Sequence, residues 1–112
     1  MPSTWTTTNL KNAINVSTTT LAAGTTDSEV LFLNGTMSGV QSIFIKVGSG
    51  ETVSIWASNG NPETLLGSEL IKIVDNITAD YHAGFTGGVS ALQIKGTIST
   101  NPVKVFFREK TT

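Results

Sequence analysis

Apolar and polar residues alternate in short stretches along this chain, the period of strands that bury one face and wet the other. Ala13-Ile14-Asn15-Val16-Ser17 alternates, and the β-branched run from Thr18 to Leu21 extends it. Glu29 to Leu33 is a brief apolar run ending at Asn34-Gly35, a pair suited to a tight turn. Val40 to Val47 and Thr52 to Ser58 flank Gly48-Ser49-Gly50. Leu65 to Asp75, broken by Gly67, predicts one or two strands, and Asp80 to Phe85 a short one before Gly87-Gly88. Val89 to Ile98 and Val103 to Arg108 close the series on either side of Thr100-Asn101-Pro102. No stretch carries the period of a long amphipathic helix. Roughly seven to eight strands at spacings of about 8–12 residues predict an all-β fold: an antiparallel β-sandwich, jelly-roll-like. Residues 1–12, polar and Thr-rich around Trp5, form an extended N-terminal arm or an irregular first strand, and residues 13–112 the single domain.

The same alternation assigns faces. Ile43, Ile45 and Val47 share one face, and Ser42, Phe44 and Lys46 the other. Val53, Ile55 and Ala57 oppose Ser54, Trp56 and Ser58. Leu92, Ile94 and Ile98 form an apolar set, as do Val103, Val105 and Phe107, which leaves Lys104, Phe106 and Arg108 outside. Three aromatics, Phe44, Trp56 and Phe106, thus fall on otherwise polar faces. If Val40 to Ser58 is a hairpin turning at Gly48-Ser49-Gly50, Phe44 and Trp56 are expected side by side on its outer face. Such a pair has three readings: a local stabilising contact, covered or not by the arm; a protein interface; or a platform for a sugar ring.

Composition narrows the functional classes. The chain has 112 residues, enough for one core, and only 13% are charged, with a net charge of −1. No basic stretch supplies the phosphate-neutralising term on which nucleic-acid binding depends, and no apolar run is long enough to span a bilayer as a helix. There is no cysteine and a single histidine, His82, so thiolate and multi-histidine metal sites are absent from the sequence. Residues 1–10 lack the charged and apolar regions of a signal peptide. The sequons at Asn15, Asn34 and Asn76 are what a Ser/Thr/Asn-rich composition produces by chance.

Candidate chemistry is sparse. His82 has no Gly-x-Ser-x-Gly elbow and no cysteine nucleophile to serve. The acids are scattered; Asp75 with Asp80 is a conceivable calcium pair but lacks the loop signature of such sites. The segment 84–88 lacks the Lys-Ser/Thr ending of a phosphate loop. The expectation is a protein with no catalytic residues, no cofactor and no metal.

Several segments carry a resemblance: Val53-Ser54-Ile55-Trp56-Ala57-Ser58-Asn59-Gly60-Asn61, Tyr81-His82-Ala83-Gly84-Phe85, Val89 through Gly96, and Val103-Lys104-Val105-Phe106-Phe107. In strand pattern they resemble β-sandwich modules of bacteriophage structural proteins. The chain as a whole, short, cysteine-free and Thr/Ser/Gly-rich with a polar arm, resembles capsid decoration (cement or staple) proteins. That resemblance implies a virion protein on the capsid exterior, made in the host cytoplasm, whose partners are the major capsid protein and its own copies as a dimer or trimer. Neither nucleic acid nor membrane is an expected partner. The interface residues expected on this reading are Trp5, Phe44, Trp56 and Phe106. The alternative is a carbohydrate- or receptor-binding module of a phage tail or similar particle, with a glycan as ligand.

Overall fold

A computed structural model describes residues 2–33, 41–85 and 89–110. The strands run in chain order as β1 (Thr6–Leu10), β2 (Ile14–Leu21), β3 (Leu31–Phe32), β4 (Gln41–Lys46), β5 (Val53–Ser58), β6 (Ile71–Ile77), β7 (Tyr81–Gly84), β8 (Ala91–Lys95) and β9 (Val103–Lys110). Gly67–Glu69 forms one turn of 3-10 helix, so the segment broken by Gly67 contributes a single strand, β6, after that turn. The turns expected at Asn34-Gly35 and Gly87-Gly88 lie outside the described residues.

Two sheets face each other. One has the order β1-β2-β9-β4-β7 and the other β3-β8-β5-β6, with every strand pair antiparallel. Among the described strands, consecutive pairs share a sheet only at β1–β2 and β5–β6; every other connection crosses between the sheets. This is the double Greek-key winding of a jelly roll. The segment 1–12 supplies β1, the edge strand beside β2, and Ser3 bridges to Ser28 on the way in.

The inward sets read from alternation form the core, except that Val47 is only partly buried and packs against its edge. Ile43, Ile45, Val53, Ile55, Ala57, Leu92, Ile94, Ile98, Val103, Val105 and Phe107 are all buried in one cluster, with Leu21, Leu31, Leu33 and Ile77. Burying each Val, Leu, Ile or Phe of this set is worth about 1.5–3 kcal/mol, against the cost of ordering the chain. Among the described residues no buried side-chain nitrogen or oxygen lacks a hydrogen-bond partner. Gln41 donates from Nε2 to Glu109 Oε1 (3.0 Å) and to the Val89 carbonyl (3.0 Å), and accepts from the Val89 N–H (2.7 Å). These bonds tie the start of β4 to β9 and to the approach of β8.

One expectation is overturned. Val40 to Ser58 is not a hairpin: β4 and β5 belong to different sheets, and Phe44 and Trp56 point outward from opposite sides of the sandwich. The link between them is an arch. The Glu51 N–H closes a turn onto the Gly48 carbonyl (3.1 Å), and the chain then enters the other sheet. A second arch, between β8 and β9, makes the same crossing beside it, and the two are locked together. Buried Glu51 reaches across and accepts the backbone N–H groups of Ser99 (2.9 Å), Thr100 (3.0 Å) and Asn101 (2.9 Å), plus the Ser99 hydroxyl. Asn101 Nδ2 donates to the Ser49 carbonyl (2.6 Å). Gly48 lies so close to Asn101 that a Cβ there would stand 2.5 Å from the Asn101 Cβ. Inward alternation is identical for a hairpin and for an arch, so the pattern of the sequence was compatible with both.

Candidate functional site

The outer face of the five-stranded sheet collects what the sequence left scattered. Strand register sets Phe44 opposite Phe106 across β4 and β9, and Phe44 opposite His82 across β4 and β7. Continuing outward, Phe106 faces Thr18 on β2, and Thr18 faces Thr6 on β1. One row of side chains, Thr6–Thr18–Phe106–Phe44–His82, therefore crosses all five strands. Its apolar part is open to solvent: Phe44 is 56% exposed and Phe106 38%, while their strand neighbours Ile43, Ile45, Val105 and Phe107 are buried.

The rings are packed on each other. Phe44 and His82 stack with centroids 5.3 Å apart and planes 18° from parallel. The Lys104 ammonium lies 5.3 Å from the Phe106 ring centre, within cation–π range. Val16, Ser42 and Arg108 extend the surface along the strands, and with Phe44, His82 and Phe106 they line an open, mainly apolar trough of about 520 Å³.

Charge frames the trough. Lys46 Nζ pairs with Asp80 Oδ2 at 3.3 Å, and Asp80 Oδ1 accepts the Val47 N–H at 3.0 Å. That backbone bond, with help from the Lys46 ammonium, holds the Asp80 carboxyl below its usual range. Lys104 and Arg108 flank Phe106 along β9 with exposed heads. Asp75, the other acid of the conceivable calcium pair, is engaged by Lys72 at 3.7 Å. Among the described residues no group of three or more His, Cys, Asp or Glu side chains is placed to hold a metal ion.

Trp56 and Trp5 are elsewhere. Trp56 sits on the outer face of the four-stranded sheet, opposite Gln93 of β8 and Lys72 of β6. Its indole N–H donates to Ser54 Oγ (3.0 Å), and the ammonium groups of Lys95 and Lys72 lie 4.2 and 5.7 Å from its ring centre. Trp5 is half-buried against the core and donates its indole N–H to the Glu29 carbonyl (2.7 Å), pinning the chain before β1 to the approach of β3. Of the four residues expected at an interface, only Phe44 and Phe106 come together. His82 joins them unforeseen, although the alternation of Tyr81, Ala83 and Phe85 around it carried a signal of its outward direction.

No protein-family model matches the sequence, and a comparison with curated proteins returned no match. Among solved structures the chain is similar to a RmlC-like cupin protein from Desulfovibrio desulfuricans, at 13% identity over 95% of this chain and 81% of that one, with a TM-score of 0.42. It is similar to a cupin domain from Bordetella pertussis at 10% identity, over 97% and 94%, with a TM-score of 0.48. It is also similar to a Bacillus endospore appendage protein, described as forming disulfide-linked pili, at 18% identity over 94% and 95%, with a TM-score of 0.38.

Proposed function

We propose that this protein is a non-enzymatic structural binding module that attaches in several copies to the outside of a phage capsid and stabilises the shell. The outer face of the five-stranded sheet is its docking surface. The observation that carries the reading is the exposed Phe44–Phe106 pair, set in register at the middle of a stiff sheet and framed by long cationic side chains. Aromatic centres with a charged rim are what interfaces use, because the rings bury large area at little entropic cost. A sheet holds them in fixed positions, and repetition of weak contacts on a symmetric particle would give durable attachment. The resemblance to decoration proteins in strand pattern and composition supplies the particle.

A glycan-binding role has less support. Trp56, the ring best suited to a sugar, already has the Lys95 ammonium over it, and Phe44 is stacked on His82. Catalysis has less support as well, since His82 contacts a phenyl ring and the nearby Asp80 is committed to Lys46 and Val47.

The test is co-sedimentation of purified protein with candidate capsids, alongside a glycan array. The F44S/F106S double variant should keep the far-UV spectrum of the parent and lose particle binding. Unchanged binding by that variant would overturn the reading, as would glycan binding abolished by W56A.

A further inference from the structure

Residues 2–10 add no side chain to the buried core; only Trp5 packs against its edge. β1 is exposed along its whole length and pairs with β2, where the Thr7 and Ser17 hydroxyls meet at 2.8 Å. Before β1, the Ser3 N–H donates to the Asp27 carbonyl (3.0 Å) and the Glu29 N–H to the Ser3 carbonyl (2.8 Å). The Thr19 hydroxyl donates to the Thr4 carbonyl (2.8 Å). With the Trp5 bond to Glu29, each of these contacts joins the segment to residues 14–29, across the turn at Lys11-Asn12-Ala13. That turn holds two successive non-glycine residues at positive φ, Asn12 at 64° and Ala13 at 59°. Asparagine tolerates this region, but the alanine Cβ crowds the carbonyl oxygen there, and hairpin turns of positive φ favour glycine for that reason. The hairpin is thus closed against a backbone strain that an extended chain does not carry.

The register of the hairpin fits a second way of making the same contacts. Every partner pair of the β1–β2 ladder, from Thr6↔Thr18 to Leu10↔Ile14, is centred on Asn12. Paired positions therefore have the same parity along the chain. Straightening the turn leaves Thr6, Thr8, Val16 and Thr18 on one face of a continuous strand, and Thr7 and Ser17 on the other. Two straightened chains, antiparallel about a two-fold axis at Asn12, repeat the ladder without a slip: Thr6 of one copy stands opposite Thr18 of the other. A hairpin with a two-residue turn lacks this property, because straightening it would pair residues of opposite faces. We propose that copies of this chain exchange residues 2–10, so that β1 of each copy pairs with β2 of the other and Trp5 of each bonds to Glu29 of the other. Every contact of the segment is kept, the strain at Ala13 is released, and Lys11 to Ala13 gain a ladder of their own. The entropy of association opposes these gains, so exchange grows with concentration. The exchanged dimer goes beyond the docking role of Phe44 and Phe106 and does not depend on it.

The sequence has no cysteine, so a T7C/S17C variant can form disulfides only between the introduced positions, whose oxygens already lie 2.8 Å apart. Refolded from urea and oxidised at high concentration, it should run as a covalent dimer on a denaturing gel and return to a monomer on reduction. Refolded and oxidised when dilute, it should close within one chain. The T7C and S17C single variants should give little cross-linked product, since the exchange sets neither residue opposite itself. Sedimentation equilibrium of the full chain then tests the turn. A13G, which relieves the strain in the closed hairpin, should raise the dimer Kd by about tenfold or more. A13V, suited to an extended strand and not to a left-handed turn, should lower it. A disulfide confined to single chains at every concentration would overturn the proposal. So would equal cross-linking by the single-cysteine variants, or a dimer with the same Kd in A13G, the parent and A13V. None of these outcomes bears on particle binding, which F44S/F106S reads separately.

Discussion

Phe44 stands directly opposite Phe106 across the β4–β9 ladder, and Trp56 lies on the far side of the molecule in the other sheet. The exposed aromatic pair is therefore built from strands remote in sequence. Its neighbours on the same strands are core residues, which separates surface from stability within a few ångströms.

That separation makes β9 a clean contrast. Phe107 is fully buried and packs near Phe85, with ring centroids 5.9 Å apart, whereas Phe106 faces solvent. F107A is expected to cost about 3–5 kcal/mol in urea denaturation, the range for a large buried aromatic. F106A, which removes only a cross-strand surface contact, should cost about 0.2–1 kcal/mol. Equal losses at the two positions would mean that the assignment of faces is wrong.

Glu51 sets an acid limit on stability. Three backbone N–H groups from Asn101, Ser99 and Thr100 draw its pKa from 4.5 down to about 2. The folded value lies below the unfolded one, so its contribution is complete above about pH 4.5 and is lost as pH falls towards 2. Thermal melts of the parent should decline over that window. E51Q should melt lower than the parent at pH 7, with the gap closing by pH 2.

The two arches leave no room for a side chain at their contact. A Cβ on Gly96 would collide with the Thr52 carbonyl oxygen and stand 2.9 Å from the Val53 Cα, both backbone atoms unable to yield. G96A should destabilise by about 1–3 kcal/mol, as overpacking does. G67A, with open space around it, should be neutral within about 0.5 kcal/mol.

Trp5 tests how firmly the N-terminal segment is attached. W5F keeps the ring against the core but removes the bond to the Glu29 carbonyl, worth about 0.5–1.5 kcal/mol when fully formed. Amide exchange at Ser3 and Glu29, whose N–H groups bond across this junction, should accelerate in W5F while exchange in β4 and β9 stays as in the parent.

The sequence by itself determined that the chain is built of short strands and, on β4, β5, β8 and β9, which side chains face inward. Both follow from covalent geometry: successive side chains on a strand point opposite ways, and only apolar sets can be buried without partners. The inward sets on β4, β5, β8 and β9 are therefore the core found in the structure. Tertiary structure decided which strands are neighbours, because inward alternation is the same whether Gly48-Ser49-Gly50 folds β5 back beside β4 or arches it into the opposite sheet. It also decided the role of Glu51, whose donors are backbone N–H groups that any residue carries and no sequence pattern marks. The outer-face row Thr6–Thr18–Phe106–Phe44–His82 belongs to the same class. The outward direction of Phe44 and Phe106 was legible from their own strands, and the alignment of the row came only from a register set by pairing across the whole fold.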